Sequence, residues 1–126
     1  FKERRQEIFD KYTEALKDIE GIEPPEVKED ADPFWHIYTV KITEDFPVSR
    51  KKFFNAMQKE NIGVQVHYVP LHYHPFFQEN YGYEKGDFPE TEEVYSQIVT
   101  LPMYPDMSDS DVEDVVEAVR KIRNYY

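Results

Sequence analysis

Helical and extended periodicities alternate along this chain, and that alternation narrows its possible folds more than any single motif does. Ile8, Tyr12, Ala15, Leu16 and Ile19 recur at helical spacing, with Gly21 placed to stop the helix. The acidic, proline-bearing stretch Gly21–Pro33 reads as a connector. In Phe34–Ile42, the residues Phe34, His36, Tyr38, Val40 and Ile42 share one face, as a strand requires. Ser49 is placed to cap a helix reaching about Glu60, with Phe53, Phe54 and Met57 inward, and Asn61–Gly63 closes it. Val64–Val69 alternates again and predicts a further strand, whereas Pro70–Phe88 lacks periodicity and reads as a long aromatic loop. Pro89 suits the first turn of a helix whose Glu90, Glu92 and Glu93 complement its dipole. Val99–Tyr104 predicts a short strand. Ser108 and Asp111 then open a final helix carrying Val112, Val115, Val116, Val119 and Ile122 on one side. The order α-β-α-β-α-β-α predicts an α+β fold, an α/β sandwich of about three strands with helices packed against them, in one domain spanning residues 1–126.

A chain of 126 residues suits one modest core and not two. Aromatic residues make up 16% of it, which lets a small domain bury a large area per side chain. The net charge of −11, with its fifteen basic residues dispersed, argues against a nucleic-acid partner. The lack of cysteine removes disulfides and thiolate metal sites and suits a cytoplasmic protein. No apolar run approaches the roughly 18 residues of a membrane span. The chain starts at Phe1 inside a helical pattern, which reads as a piece of something longer.

Three of the four histidines, His67, His72 and His74, fall in the segment VHYVPLHYHPFF (Val66–Phe77). A catalytic zinc needs three protein ligands, but prolines flank His72 and His74 and no carboxylate lies between Val64 and Gln78, so no metal is expected. His67 or His72 could act as a general base, yet there is no cysteine and no serine in a sharp glycine-flanked turn to serve as nucleophile. His74 reads as structural. For His67 and His72, spacing alone leaves a site-lining and a structural role equally open.

Four motifs in order, HIYTV (His36–Val40), NIGVQVHYVPLHYHPFF (Asn61–Phe77), GDFPETEE (Gly86–Glu93) and LPMYP (Leu101–Pro105), resemble the C-terminal small domain of the DegT/DnrJ/EryC1/StrS aminotransferases. The resemblance covers nearly the whole chain. It implies a small, mainly antiparallel sheet as in the small domain of fold type I aminotransferases. It also implies a parent enzyme that uses pyridoxal 5'-phosphate to move an amino group, from glutamate, onto a nucleotide-linked keto-sugar such as a UDP-4-keto-6-deoxy sugar, for polysaccharide or surface-glycan synthesis. Such a parent would be a cytoplasmic homodimer. Carried over by the motifs, the substrate-binding residues would be His67, Tyr68, Pro70, Leu71, His72 and Glu92, near the sugar-nucleotide entrance. Arg50–Lys51 and Thr91 depart from the family's usual residues at helix starts.

No lysine here has a setting like the family's cofactor lysine, and no Gly- or Ser-rich phosphate cradle is present. The chain by itself is therefore expected to hold no cofactor and to supply no catalytic residue. The competing expectation is a non-catalytic α+β module whose aromatic loop binds a ligand or partner.

Overall fold

Strand β2 (Tyr38–Ile42) lies at the centre of a three-stranded antiparallel sheet, between β1 (Ile22–Glu23) and β3 (Ile98–Leu101). In this computed structural model, which describes residues 1–126, Ile22 pairs with Ile42 across one edge, and Tyr38 with Leu101 and Val40 with Val99 across the other. Tyr38, Val40 and Ile42 are buried while Thr39 and Lys41 are half-buried, the period-2 pattern of a strand with one face on a core. All four residues of β3 are buried.

The helices are α1 (Lys2–Leu16), α2 (Arg50–Lys59), α3 (Pro75–Tyr81), α4 (Pro89–Gln97) and α5 (Asp109–Tyr125). Ile8, Tyr12 and Leu16 of α1, Phe53 and Met57 of α2, and the valines of α5 meet the sheet in one continuous cluster of buried side chains. Two phenols enter it with partners, because a buried polar group without one is costly. Tyr12 donates to the Pro102 carbonyl at 2.7 Å, and the Tyr38 and Thr13 hydroxyls lie 2.9 Å apart. Burial pushes the Tyr38 phenol up to about 12 and that of Tyr12 higher still.

Local signals explain most element ends. The Ser49 hydroxyl accepts from the Lys52 N–H at 3.3 Å. Ser108 and Asp111 form a reciprocal capping box, with N–H···O distances of 3.1 and 2.8 Å. Gly21 has φ +87°, and a Cβ there would fall 2.3 Å from the Phe46 nitrogen, so glycine is required for both reasons.

Four expectations change. Val64–Val69 is not a strand: only Gln65 bridges to Thr100, and Pro70, which has no N–H to donate, follows within five residues. The sheet's remaining strand comes from Ile22–Glu23, inside the predicted connector Gly21–Pro33. Pro70–Phe88 is not an unstructured loop. It holds a 3₁₀ turn (Leu71–Tyr73) and α3, which starts at Pro75 and ends at Gly82 in the left-handed region. The strand expected over Phe34–Ile42 begins only at Tyr38, because Trp35 leaves the sheet to stack on Phe9 at 3.8 Å.

Candidate functional site

The segment after Gln65 leaves the sheet edge and folds against α4, and the side chains of His67, His72 and Tyr73 each find a definite place. His67 lies with Nδ1 2.9 Å from the Thr100 hydroxyl, which lies 3.0 Å from the Thr39 hydroxyl on β2. The ring is thereby tied to the sheet. The His67–Tyr68 peptide is cis, and the Tyr68 side chain is 71% exposed. Pro70 is buried, while Leu71 in the following turn is exposed. His67, Tyr68 and Pro70 form one wall of an open recess of about 370 Å³, whose other wall is Glu90, Thr91, Val94 and Tyr95 of α4 with Ile98.

His72 and Glu92 sit together in a second, inward-facing cluster. His72 is 5% exposed, packed between the rings of Tyr73 and Phe88 with centroids at 4.7 and 4.8 Å. Its Nε2 has no hydrogen-bond partner and lies 3.6 Å from Glu92 Oε1, too far for a hydrogen bond. Both Glu92 oxygens are engaged: Oε1 accepts from the Tyr73 O–H at 2.7 Å and from the Gly86 N–H at 2.8 Å, and Oε2 lies 2.9 Å from the same N–H. The Tyr73 hydrogen bond, then the Gly86 N–H, hold the Glu92 carboxyl below the usual carboxylate range. The same bond raises the Tyr73 phenol. Lys85 lies over the Tyr73 ring, 5.1 Å from its centroid.

The structure therefore brings His67 and Tyr68 to an open recess floored by the buried Pro70 and pairs His72 with Glu92 behind it, with Leu71 exposed on the turn between. No three histidine or carboxylate side chains converge as a metal site would require. Tyr73, Gly86, Phe88 and Thr100 belong to these clusters although their spacing predicted nothing of them. Tyr73 and Glu92 are nineteen residues apart, and Thr100 meets His67 across thirty-three. What the arrangement can do is bind and position. Glu92 is an acceptor already used, and the one hydroxyl set beside His67, that of Thr100, is buried and shared with Thr39.

The side chains present do not make a pyridoxal-phosphate site. Such a site needs an enclosed lysine for the imine and a cradle of N–H groups for the phosphate. Nine of the ten lysines are exposed and Lys41 is half-buried, within reach of Glu23 at 3.9 Å.

A small antiparallel sheet with helices against it is an architecture found in aminotransferases of fold type I. DesV of S. venezuelae, solved in complex with a ketimine intermediate, superposes with a TM-score of 0.87 at 27% identity, over 98% of this chain and 32% of its own. The chain belongs to the DegT/DnrJ/EryC1/StrS aminotransferase family, whose sequence profile matches residues 1–120. It is 42% identical to the spore coat polysaccharide biosynthesis protein SpsC of Bacillus subtilis, over 94% of this chain and 31% of that protein. It is 34% identical to the dTDP-3-amino-3,6-dideoxy-alpha-D-galactopyranose transaminase of Aneurinibacillus thermoaerophilus, over 94% and 31%. The chain thus spans about a third of the length of the relatives it matches.

Proposed function

We propose that residues 1–126 are the C-terminal small domain of a pyridoxal-phosphate-dependent sugar aminotransferase. Its parent moves an amino group from glutamate onto a nucleotide-linked keto-sugar, a UDP-4-keto-6-deoxy sugar, for surface polysaccharide. The observation that carries this reading is the family match over residues 1–120, which includes every residue of the two clusters. The names of SpsC and of the dTDP-sugar transaminase support the substrate class. In this reading the parent is a cytoplasmic homodimer, and its cofactor is held by the part of the polypeptide outside these residues.

Within the reading, His67, Tyr68, Pro70 and Leu71 face the sugar-nucleotide, while His72 and Glu92 set the shape of the turn that carries them. The open recess beside His67 and the exposed rim at Tyr68 and Leu71 fit that division.

The test uses the parent enzyme. With glutamate alone, the cofactor absorbance should change at a rate little altered by Tyr68→Ala. With UDP- and dTDP-linked 4-keto-6-deoxy sugars as acceptors, the same variant should lose kcat/KM by roughly two- to tenfold, the range for one lost neutral hydrogen bond. A parent without the cofactor's absorbance, or one indifferent to every keto-sugar nucleotide, overturns the reading.

A further inference from the structure

Helix α4 buries none of its residues, so the face it turns to the recess is not kept for the core. That face runs Glu90, Thr91, Val94 and Tyr95, one side of the helix by spacing, opposite His67 and Tyr68. The Tyr95 ring is held in place from two directions. The Arg50 guanidinium lies over it, 5.2 Å from its centroid, and the Tyr73 ring meets it edge-on with centroids 5.8 Å apart. Val94 and Tyr95 give this wall its apolar part, and Glu90 and Thr91, in the first turn of the helix, give it polar groups. No lysine or arginine lines the recess, and its one carboxylate is that of Glu90. Glu92, two residues on, is taken up by Tyr73 and Gly86, whereas Glu90 is exposed and has no hydrogen-bond or ion-pair partner in the protein.

We propose that the recess takes the nucleoside end of the substrate, and that Glu90 accepts a hydrogen bond from the ribose 2'-hydroxyl, which makes Glu90 the residue that selects a ribonucleotide-linked sugar over a deoxyribonucleotide-linked one. The inference rests on the reading of the parent as a nucleotide-sugar aminotransferase and adds which nucleotide it takes. Size is the first support. At about 370 Å³ the recess lies near the small end of ligand sites, roughly 300–1,000 Å³, with room for a nucleoside rather than a whole nucleotide-sugar. Charge is the second. A diphosphate inside would face the Glu90 carboxylate with no lysine or arginine to balance it, so the phosphates lie outside and an uncharged part of the substrate lies within. The third is the place of the chemistry. The keto carbon must meet a cofactor that residues 1–126 do not hold, so the end left for this domain is the far one. A carboxylate beside a ribose accepts from its 2'-hydroxyl, as in dinucleotide-binding folds, and a site built around a hydroxyl discriminates against the analogue that lacks it. Complementing the dipole of α4 is the competing role for Glu90. Glu93 carries the same charge on the same helix and does not line the recess, so it serves as the control.

The experiment titrates the full-length parent with UDP and with 2'-deoxy-UDP, which differ only in that hydroxyl, and reads both affinities by calorimetry. UDP should bind wild type about tenfold more tightly, the scale of one hydrogen bond to a charged acceptor at an open site. In a Glu90→Gln parent the ratio should fall to within about twofold of one, and in a Glu93→Gln parent it should stay as in wild type. Equal affinities in wild type overturn the proposal, with no variant needed. So does a ratio that survives Glu90→Gln, a ratio that Glu93→Gln abolishes equally, or a parent that binds neither nucleotide. Cofactor absorbance and turnover of keto-sugar nucleotides, read in the same samples, keep the two readings apart. A parent that shows both but binds the two diphosphates equally overturns this inference alone. A parent without the absorbance overturns the aminotransferase reading, and there the ratio of the two affinities still reports on Glu90.

Discussion

Tyr73 donates its hydroxyl proton to Glu92 Oε1 at 2.7 Å, joining the 3₁₀ turn to α4, and the same carboxylate accepts the Gly86 N–H. Because these bonds favour the ionised form, the folded Glu92 titrates below the ordinary glutamate value of 4.5. A depressed carboxylate contributes stability that is present above its unfolded value and lost as the pH falls through the folded one. Thermal unfolding followed from about pH 6 to about pH 3 should therefore decline more steeply for wild type than for Tyr73→Phe. In that variant the Glu92 carboxyl midpoint, read from its carbon resonance, should rise toward 4.5. An unmoved midpoint would show that the Tyr73 bond does not form in solution.

At the alkaline end the sign reverses. Burial raises the Tyr38 phenol from 10.0 to about 12, and raises Tyr12 further. A raised phenol contributes stability that is full below the unfolded value and lost as pH rises through the folded one. The protein should lose stability progressively from about pH 10 upward, and Tyr38→Phe should flatten that loss. Denaturant midpoints at pH 9, 10 and 11 decide it, and parallel slopes for the two proteins would count against the buried phenol.

Gly21→Ala should be among the most damaging single changes. It asks a left-handed φ of +87° of an alanine and places its Cβ 2.3 Å from the Phe46 nitrogen. Strain and displacement together should cost more than about 2 kcal/mol. A shift in denaturant midpoint smaller than that of a surface substitution would mean the 21–46 contact opens readily.

Removing the Ser108 cap is a milder test. Ser108→Ala deletes the acceptor for the Asp111 N–H and should cost about 1 kcal/mol, while Ser108→Asp should restore most of it. Equal stabilities for all three proteins would show that α5 is held by its valine face alone.

Leu16→Ala empties a fully buried position between α1 and the sheet. A loss of about 2–5 kcal/mol is expected, read as a lower denaturant midpoint with an unchanged slope.

Legibility in the sequence followed the physics of each element. The helices α1, α2 and α5 announce themselves because a buried face imposes its period, with Ser49 and Ser108 marking the starts of the last two, whereas α4, which buries nothing, is marked by Pro89 and its acidic first turn. Strand β1 is two residues long, too short for any period, and exists only because β2 offers it an edge. The alternation of Val64–Val69 is real, but a backbone heading for Pro70 has one bridge to make and then departs. Helix α3 carries both its signals, Pro75 at the start and Gly82 at the end, yet its rings keep no apolar period because it buries nothing here. The site was half-legible for a similar reason. His67, Tyr68, Pro70, Leu71, His72 and Glu92 stand out as a motif, whereas Tyr73, Gly86 and Thr100 earn their places through contacts that only the folded chain creates.

The Thr39–Thr100–His67 row has a consequence for what the recess can recognise. Thr100 owns one hydroxyl proton and stands between two neighbours. If Thr39 gives its proton to Thr100 and Thr100 gives its own to His67 Nδ1, the outer imidazole nitrogen carries hydrogen and offers it. If the row runs the other way, Nδ1 is the protonated nitrogen and the outer one offers a lone pair. Two hydroxyl rotations and a change of tautomer exchange these conditions without moving a heavy atom. The strand interior thus sets the polarity of a surface ring, and a visitor offering either a hydroxyl or a carbonyl can be met by the same histidine.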